Sequence, residues 1–464
     1  MSGMAIRATR RLADQICGRV LLPGDAGYHD ARAVWNAMID RRPRLIVRCA
    51  GIADVIAAVR FARDHDLEIG VRCGGHGVVG HAVPQDGLMI DLTPMGGVRV
   101  DPRRRRARVQ GGALLGVLDE ASQAHGLATT AGNVSHTGVG GLTLGGGMGW
   151  LARRYGLSCD NVRSFELVTA DGDVVRASAQ ENPELFWGLR GGGGNFGIVT
   201  EFEFELHATG TRALVVNLGF SLENGYEAMR GWRDLLATAP RPATLTARVS
   251  DDPDRPGTPV ANIGYVWVGD PGDGEKLLGP LRALGKPAAE RVERVSYLAL
   301  QQRDDAVDGH ALRRYWKGHY LTELTDEAIE RFLLRGTADG RGEHLPGAAL
   351  QSHGGAIADV PVTDTAFAHR DTLVEFTTST GWTEPGEDGE RIAAARRCAA
   401  AVEPFAGGAY VNALNDEGAV GVRRAYPTHT LARLTALKNA YDPENVFHLN
   451  HNIAPTTRVR EIAS

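Results

Sequence analysis

The sequence predicts an α+β fold arranged as two domains, and three observations carry that reading. A chain of 464 residues is too long for one ordinary core, so two units of roughly 200 residues each are expected. Stretches with apolar residues at helical spacing are interspersed with stretches that alternate like strands. Near residue 207 the texture changes, because glycine clusters give way to amphipathic helices and strand-like runs.

Composition narrows the classes of function. With 43% hydrophobic and 23% charged residues, the balance is that of a soluble globular protein. The formal charge of -5 gives no reason to expect nucleic acid or an acidic membrane as a partner. Arg103 to Arg106 reads as the solvated turn of a hairpin. Cys17, Cys49, Cys73, Cys159 and Cys398 are odd in number and scattered, so neither a disulfide framework nor a zinc site is supported. Met1 to Val20 holds no uninterrupted apolar segment, and no run elsewhere approaches membrane-spanning length. A reducing cytoplasm is the expected compartment.

In chain order, Ile52, Val55, Ile56 and Val59 recur at helical spacing, and Glu68 to Arg72 then alternates as a short strand. This strand runs into a glycine-rich loop, Arg72-Cys73-Gly74-Gly75-His76-Gly77-Val78-Val79-Gly80, before a strand at Leu88 to Leu92. Val98 to Val109 suits a hairpin about Asp101 to Arg104, and Gly112 to Gly126 a helix with Leu114, Leu115, Leu118 and Ala121 on one side. Leu142 to Leu151 then places Gly145, Gly146, Gly147 and Gly149 inside an apolar run. Glycine contributes no side chain to packing, so this run is read as bare amides facing a ligand, most economically a phosphate. Ser164 to Arg176 is a hairpin about Asp171-Gly172, and a third cluster, Arg190 to Gly197, leads into the strand Ile198 to Leu206. Three bare loops between Arg72 and Gly197 imply one long ligand lying across them. Beyond them, Thr244 to Val249 and Val260 to Val268 read as strands, Thr325 to Leu334 as an amphipathic helix, and Thr430 to Phe447 as a helix broken at Asp442-Pro443.

Four motifs in this order carry a resemblance. Arg72-x-Gly-Gly-His76, then Gly138-Val-Gly140-Gly141 with the glycines that follow, then Gly191 to Gly197, then Tyr410-Val-Asn412 with Tyr441 to Phe447 and Asn450-His-Asn452-Ile453, are similar to the berberine bridge enzyme-like oxidases. These belong to the vanillyl-alcohol oxidase, or PCMH-type, flavoprotein superfamily. The resemblance implies a two-subdomain FAD-binding domain over residues 1–206. It further implies a substrate domain over 207–402, an antiparallel sheet backed by helices, and a segment over 403–464 that returns to the first domain.

The resemblance also implies FAD bonded at its 8α-methyl carbon to His76. Relatives with a second, cysteinyl link carry it where this chain has Val134, so a single link is expected. Carried over motif by motif, cofactor contacts fall on Arg72, Gly74, Gly75, Gly77, Gly80, His136, Thr137, Gly140, Gly141, Gly145, Gly146, Gly149, Gly197, Ile198, Val199, Tyr410, Asn412, Asn450 and Asn452. Thr137 holds the position beside the reactive flavin atoms. Tyr410 holds that of a tyrosine over the flavin in sugar-oxidising and antibiotic-tailoring relatives, and Asp359 that of an acidic base in several members. A phenol with an ordinary pKa of about 10 is a poor base at neutral pH, so Asp359 is expected to accept its proton. The implied activity is an oxidase that takes hydride from a hydroxyl-bearing carbon of a sugar or secondary metabolite. Its partners are that small molecule and molecular oxygen, which leaves as hydrogen peroxide. Three rivals are amine oxidation of the 6-hydroxynicotine oxidase type, flavin-N5-oxide oxygenation in polyketide tailoring, and a flavin-binding protein without turnover or a dehydrogenase that passes electrons to another protein.

Overall fold

Short apolar runs near the N-terminus make the first sheet of the computed structural model, which describes residues 3–252, 255–306 and 311–456. Leu45–Arg48 and Ile69–Arg72 flank Leu88–Asp91 in parallel, and Arg19–Leu21 adds an antiparallel edge. Parallel neighbours need a crossover. The helix Ile52–Asp64 supplies one, with Val55, Ala58, Val59 and Ala62 buried on the sheet.

The second sheet is antiparallel, in the spatial order Val98–Asp101, Arg106–Gln110, Ile198–Glu205, Val162–Val168, Val174–Ser178. Its central strand alternates: Phe202 and Phe204 enter the core, while Glu201 and Glu205 face Arg108, Arg106 and Arg163. The arginine run 103–106 is therefore the end of a hairpin whose outer charges are matched.

The third sheet has eight antiparallel strands: Ala289–Ser296, Arg212–Ser221, Arg255–Val268, Ala243–Asp252, Gly347–Ser352, Val374–Trp382, Arg313–Leu321 and Ala406–Gly408. Its last strand lies a few residues past the boundary at 402 that the sequence suggests. One face packs Leu214, Val216, Ile263, Leu350 and Phe376 under the helices Leu222–Leu236, Asp326–Leu334 and Asp388–Val402. Because side chains alternate along a strand, the opposite face carries a different row. Register sets Thr246 against Gln351, Gln351 against Glu375, Glu375 against Tyr320, and Tyr320 against Gly408. Tyr320 joins the core that holds Leu144, Met148, Phe367 and Tyr410, so this face meets the glycine run.

The helix Thr428–Tyr441 returns the chain to the second sheet's side, against Pro183–Leu189. Lys438 and Asp442 are fully buried and paired at 2.7 Å, and Lys438 Nζ also donates to the carbonyls of Asn195 and Phe447. The tail is thereby pinned to the third glycine cluster, where Asn450 Nδ2 donates to Gly194 O and the Ile453 amide to Asn195 Oδ1. No helix among the described residues is long and apolar enough to cross a membrane.

Candidate active site

His76 stands in the loop that leaves the strand Ile69–Arg72. At Gly74 and Gly138 the two loops cross so closely that a Cβ on either would meet the other's backbone amide, and Gly75 adopts φ +70. Only glycine permits that approach. The crossing delivers His136 Nδ1 to 2.6 Å from His76 Nε2, and Thr137 Oγ1 to 3.3 Å from His76 Nδ1. Trp35 stacks on the His76 ring, with centroids 5.2 Å apart and planes 17° apart. Arg72 turns away, donating to Ala31 O at 2.8 Å; burial lowers its guanidinium pKa while Asp91 opposes the shift. Cys73 lies alongside, but its thiol points to Ala113 O and burial pushes it up to about 11.

The run Gly145 to Gly149 departs from its expected role. All five residues are buried, and their Cα positions press on other parts of the chain: Gly145 on Asn412, Gly146 on Phe367, Gly147 on Ser158, Gly149 on the carbonyl of Ala131. The amides of Gly146 and Gly147 are spent on Thr143 O and the Tyr410 hydroxyl. These glycines let loops cross at backbone distance, and the amides of Gly146 and Gly147 are not open to a phosphate. Gly80, Gly140 and Gly197 are likewise packed, against Ile39, Gly111 and Leu167, and the side chains of Ile198 and Val199 are core.

Bare backbone is found elsewhere. A Cβ on Gly77 or Gly194 would meet nothing within 4 Å, one position from each of the first and third glycine loops. Near them Asn450 Oδ1 and Asn452 Oδ1 are buried acceptors without a partner. Buried polar atoms of this kind call for a ligand or ordered solvent. The helix Val139–Leu144, about 9 Å long by its residue count, separates the His76–Thr137 contact from the Tyr410 hydroxyl. The residues thus fit a long ligand anchored at one end by His76 and cradled by the first and third glycine loops and the tail.

Tyr410 accepts hydrogen bonds from the amides of Gly147 (2.8 Å) and Met148 (3.4 Å) and from Asn412 Nδ2 (2.9 Å). Burial raises its pKa most, the Glu375 charge adds to that, and the donated bonds oppose it. Asp359 is not the acid here. The strand Gly347–Ser352 stops short of it, Gly354 and Gly355 turn the chain at φ +76 and +58, and Asp359 closes a helical turn. Its side chain is 56% exposed and held by Arg241 at 2.5 Å. The carboxylate near Tyr410 is Glu375, 7% exposed, with His353 Nε2 at 3.5 Å. Alternation within Val374–Trp382 was the available signal for it.

A sequence profile described as an FAD binding domain matches residues 43–178, spanning the His76 loop and the Gly138–Gly141 turn. A second, described as berberine and berberine like, matches 409–454, where Tyr410, Asn412, Asn450 and Asn452 stand. With the cradle's geometry, these define an FAD-linked oxidoreductase. Along almost its whole length the chain is 30% identical, over 460 residues, to (R)-6-hydroxynicotine oxidase of Paenarthrobacter nicotinovorans, covering 95% of this chain and 97% of that one. The crystal structure of 6-hydroxy-D-nicotine oxidase from Arthrobacter nicotinovorans superposes with a TM-score of 0.83 at 28% identity, covering 94% of this chain and 98% of that one. A xylooligosaccharide oxidase from Myceliophthora thermophila shares the fold at TM-score 0.87 and 22% identity, covering 97% and 99%. The chain belongs to the berberine bridge enzyme-like family of FAD-linked oxidoreductases.

Proposed function

We propose that this enzyme is an oxidase, bonded to FAD through His76 alone, that takes hydride from a hydroxyl-bearing carbon of a sugar or a polar natural product. The observation that carries the reading is the Tyr410 oxygen. Three N–H groups donate to this oxygen, so bonds that oppose the burial of its charge are already in place when the phenol gives up its proton. A phenolate there can take the substrate's hydroxyl proton as hydride leaves the same carbon. Bound FAD supplies the hydride acceptor and the route for electrons to molecular oxygen.

The remaining residues hold substrate and proton. Tyr320 Oη, His353 Nδ1 and Gln351 Nε2 are buried without a protein partner, which suits a ligand bearing several hydroxyls. Glu375, between Gln351 and Tyr320 in the cross-strand row, takes the role expected of Asp359 and receives the proton that Tyr410 collects. The single link is supported by Val134 in the loop beside His136 and by the protonated, inward-turned Cys73 thiol.

The test is peroxide formation and oxygen uptake on a panel of sugars, secondary alcohols, phenolic natural products and amines. Tyr410→Phe is expected to lose roughly 100-fold or more in turnover with its flavin still bound; undiminished turnover would overturn the assignment. Full-length similarity to a nicotine oxidase favours a second reading, amine oxidation. Peroxide from amines and from no alcohol would select it. Substrate-reduced enzyme that stays bleached in aerated buffer would instead mark a dehydrogenase.

A further inference from the structure

We propose that His136 is the base that takes the proton from His76 as the histidyl–flavin bond forms; the proposal rests on the covalent reading above. The two contacts of the His76 ring are unequal. Nε2 lies 2.6 Å from His136 Nδ1, while Nδ1 lies 3.3 Å from the Thr137 hydroxyl. A contact of 2.6 Å between two imidazole nitrogens holds one shared proton, since one ring must donate and the other accept. With that proton on His76 Nε2, the neutral ring keeps a lone pair on Nδ1, and Nδ1 is the nucleophile.

Bonding at Nδ1 would leave His76 a partly buried cation unless the Nε2 proton departs. His136 is placed to receive it. Once doubly protonated, His136 can donate through Nδ1 to the bonded His76 and through Nε2 towards the carbonyl of Asp305, 3.4 Å away. The loop is fixed for this purpose: the Ser135 amide and hydroxyl both bind the Asp305 carboxylate, at 2.8 and 2.6 Å. The stacked Trp35 holds the plane of the attacking ring.

The Nδ1–carbon bond forms at the 8α-methyl carbon, and one C–H bond of that methyl breaks and gives up its proton. The Nε2 proton of His76 passes to His136. The two electrons of the broken C–H bond go through the flavin ring to molecular oxygen, which leaves with two protons as hydrogen peroxide.

Three variants separate proton acceptance from packing: His136→Asp, His136→Gln and His136→Ala. Each is purified, incubated aerobically with excess FAD, and sampled over time for the yellow colour that pellets with acid-precipitated protein and for flavin fluorescence in denaturing gels. Wild type and His136→Asp are expected to pellet their flavin, because a carboxylate can take the proton. His136→Gln, which can accept a hydrogen bond but no proton, is expected to bond flavin about 100-fold more slowly, as is His136→Ala. A bound-flavin visible spectrum before acid reports an intact fold in each. Pelleting by His136→Gln or His136→Ala at the wild-type rate would overturn the proposal while leaving the His76 bond standing. Flavin released by acid from the wild type would remove the bond itself, and this step with it.

Discussion

Glu375 is a carboxylate buried to 7% exposure whose ion-pair partner within 4 Å, among the described residues, is His353. Burying a charge costs several kcal/mol unless partners offset it, so stability alone gives no reason to keep an acid at this point of the sheet. Its field falls on Tyr320 and Tyr410, whose phenols it raises beyond what burial does. An acid that disfavours the phenolate electrostatically can still receive its proton, provided a substrate or solvent bridge joins the two. Glu375→Gln keeps the shape and removes the charge. We expect turnover to fall at least about tenfold with flavin content unchanged and no loss in melting temperature. Oxygen-uptake kinetics beside a thermal melt decide it: an unaltered turnover with a lowered melting temperature would assign Glu375 to structure.

Two helices meet over a second buried acid. Asp119, on Leu115–Gln123, is 2% exposed, and Gln301, closing Tyr297–Gln301, donates to it at 3.1 Å and to Gly132 O at 2.8 Å. Burial pushes the Asp119 carboxyl up to about 7 from 3.8, against the Gln301 bond. The folded chain therefore holds this proton where the unfolded chain has released it, and stability falls as pH rises between those values. Across the window the loss is of order 4 kcal/mol. Asp119→Asn should flatten that slope, gaining on wild type near pH 7 and not near pH 4, as denaturant unfolding at several pH values would show; parallel slopes would dismiss it. The helix itself is legible in the sequence, since Leu115 and Leu118 recur at helical spacing and Gly126 stops it at φ +63. So are the hairpins at 101–104 and 171–172, because turn chemistry is local. Motif order brings the His76 loop and the Gly138–Gly141 turn together, but the contact of Thr137 with His76 Nδ1 is not legible in it, since the resemblance sets Thr137 beside the reactive flavin atoms. Gly145 to Gly149 resist such reading, because a bare backbone approached by another chain segment looks the same in sequence as one approached by a phosphate. Glu375 was missed for a related reason: alternation puts it on one face of its strand, but the register of strands distant in sequence decides which face is inner.

At the scale of the whole molecule, a buried ion pair helps tie the sheet bearing Glu375 to the glycine run. Arg370 forms two bonds of 2.7 Å to Asp160, in the turn Ser158–Asn161, with side chains 3% and 6% exposed. The same guanidinium donates to Thr365 Oγ1 and to the carbonyls of Phe367 and Ile357, holding Phe367 against Gly146 and Gly191. The Glu375 charge acts on Tyr410 across this joint. Removing one partner of a buried pair leaves the other charge uncompensated, at about 3–5 kcal/mol, whereas removing both is far cheaper. Arg370→Met should thus destabilise strongly, and Asp160→Asn combined with Arg370→Met should recover much of the loss, a coupling that a double-mutant cycle isolates. Guanidinium unfolding followed by both tryptophan and flavin signals gives the measurement. If the double variant is as unstable as the sum of the two singles, the pair is not the joint, and the closure of the site must be credited to the apolar contacts of Phe367 and Tyr320 instead.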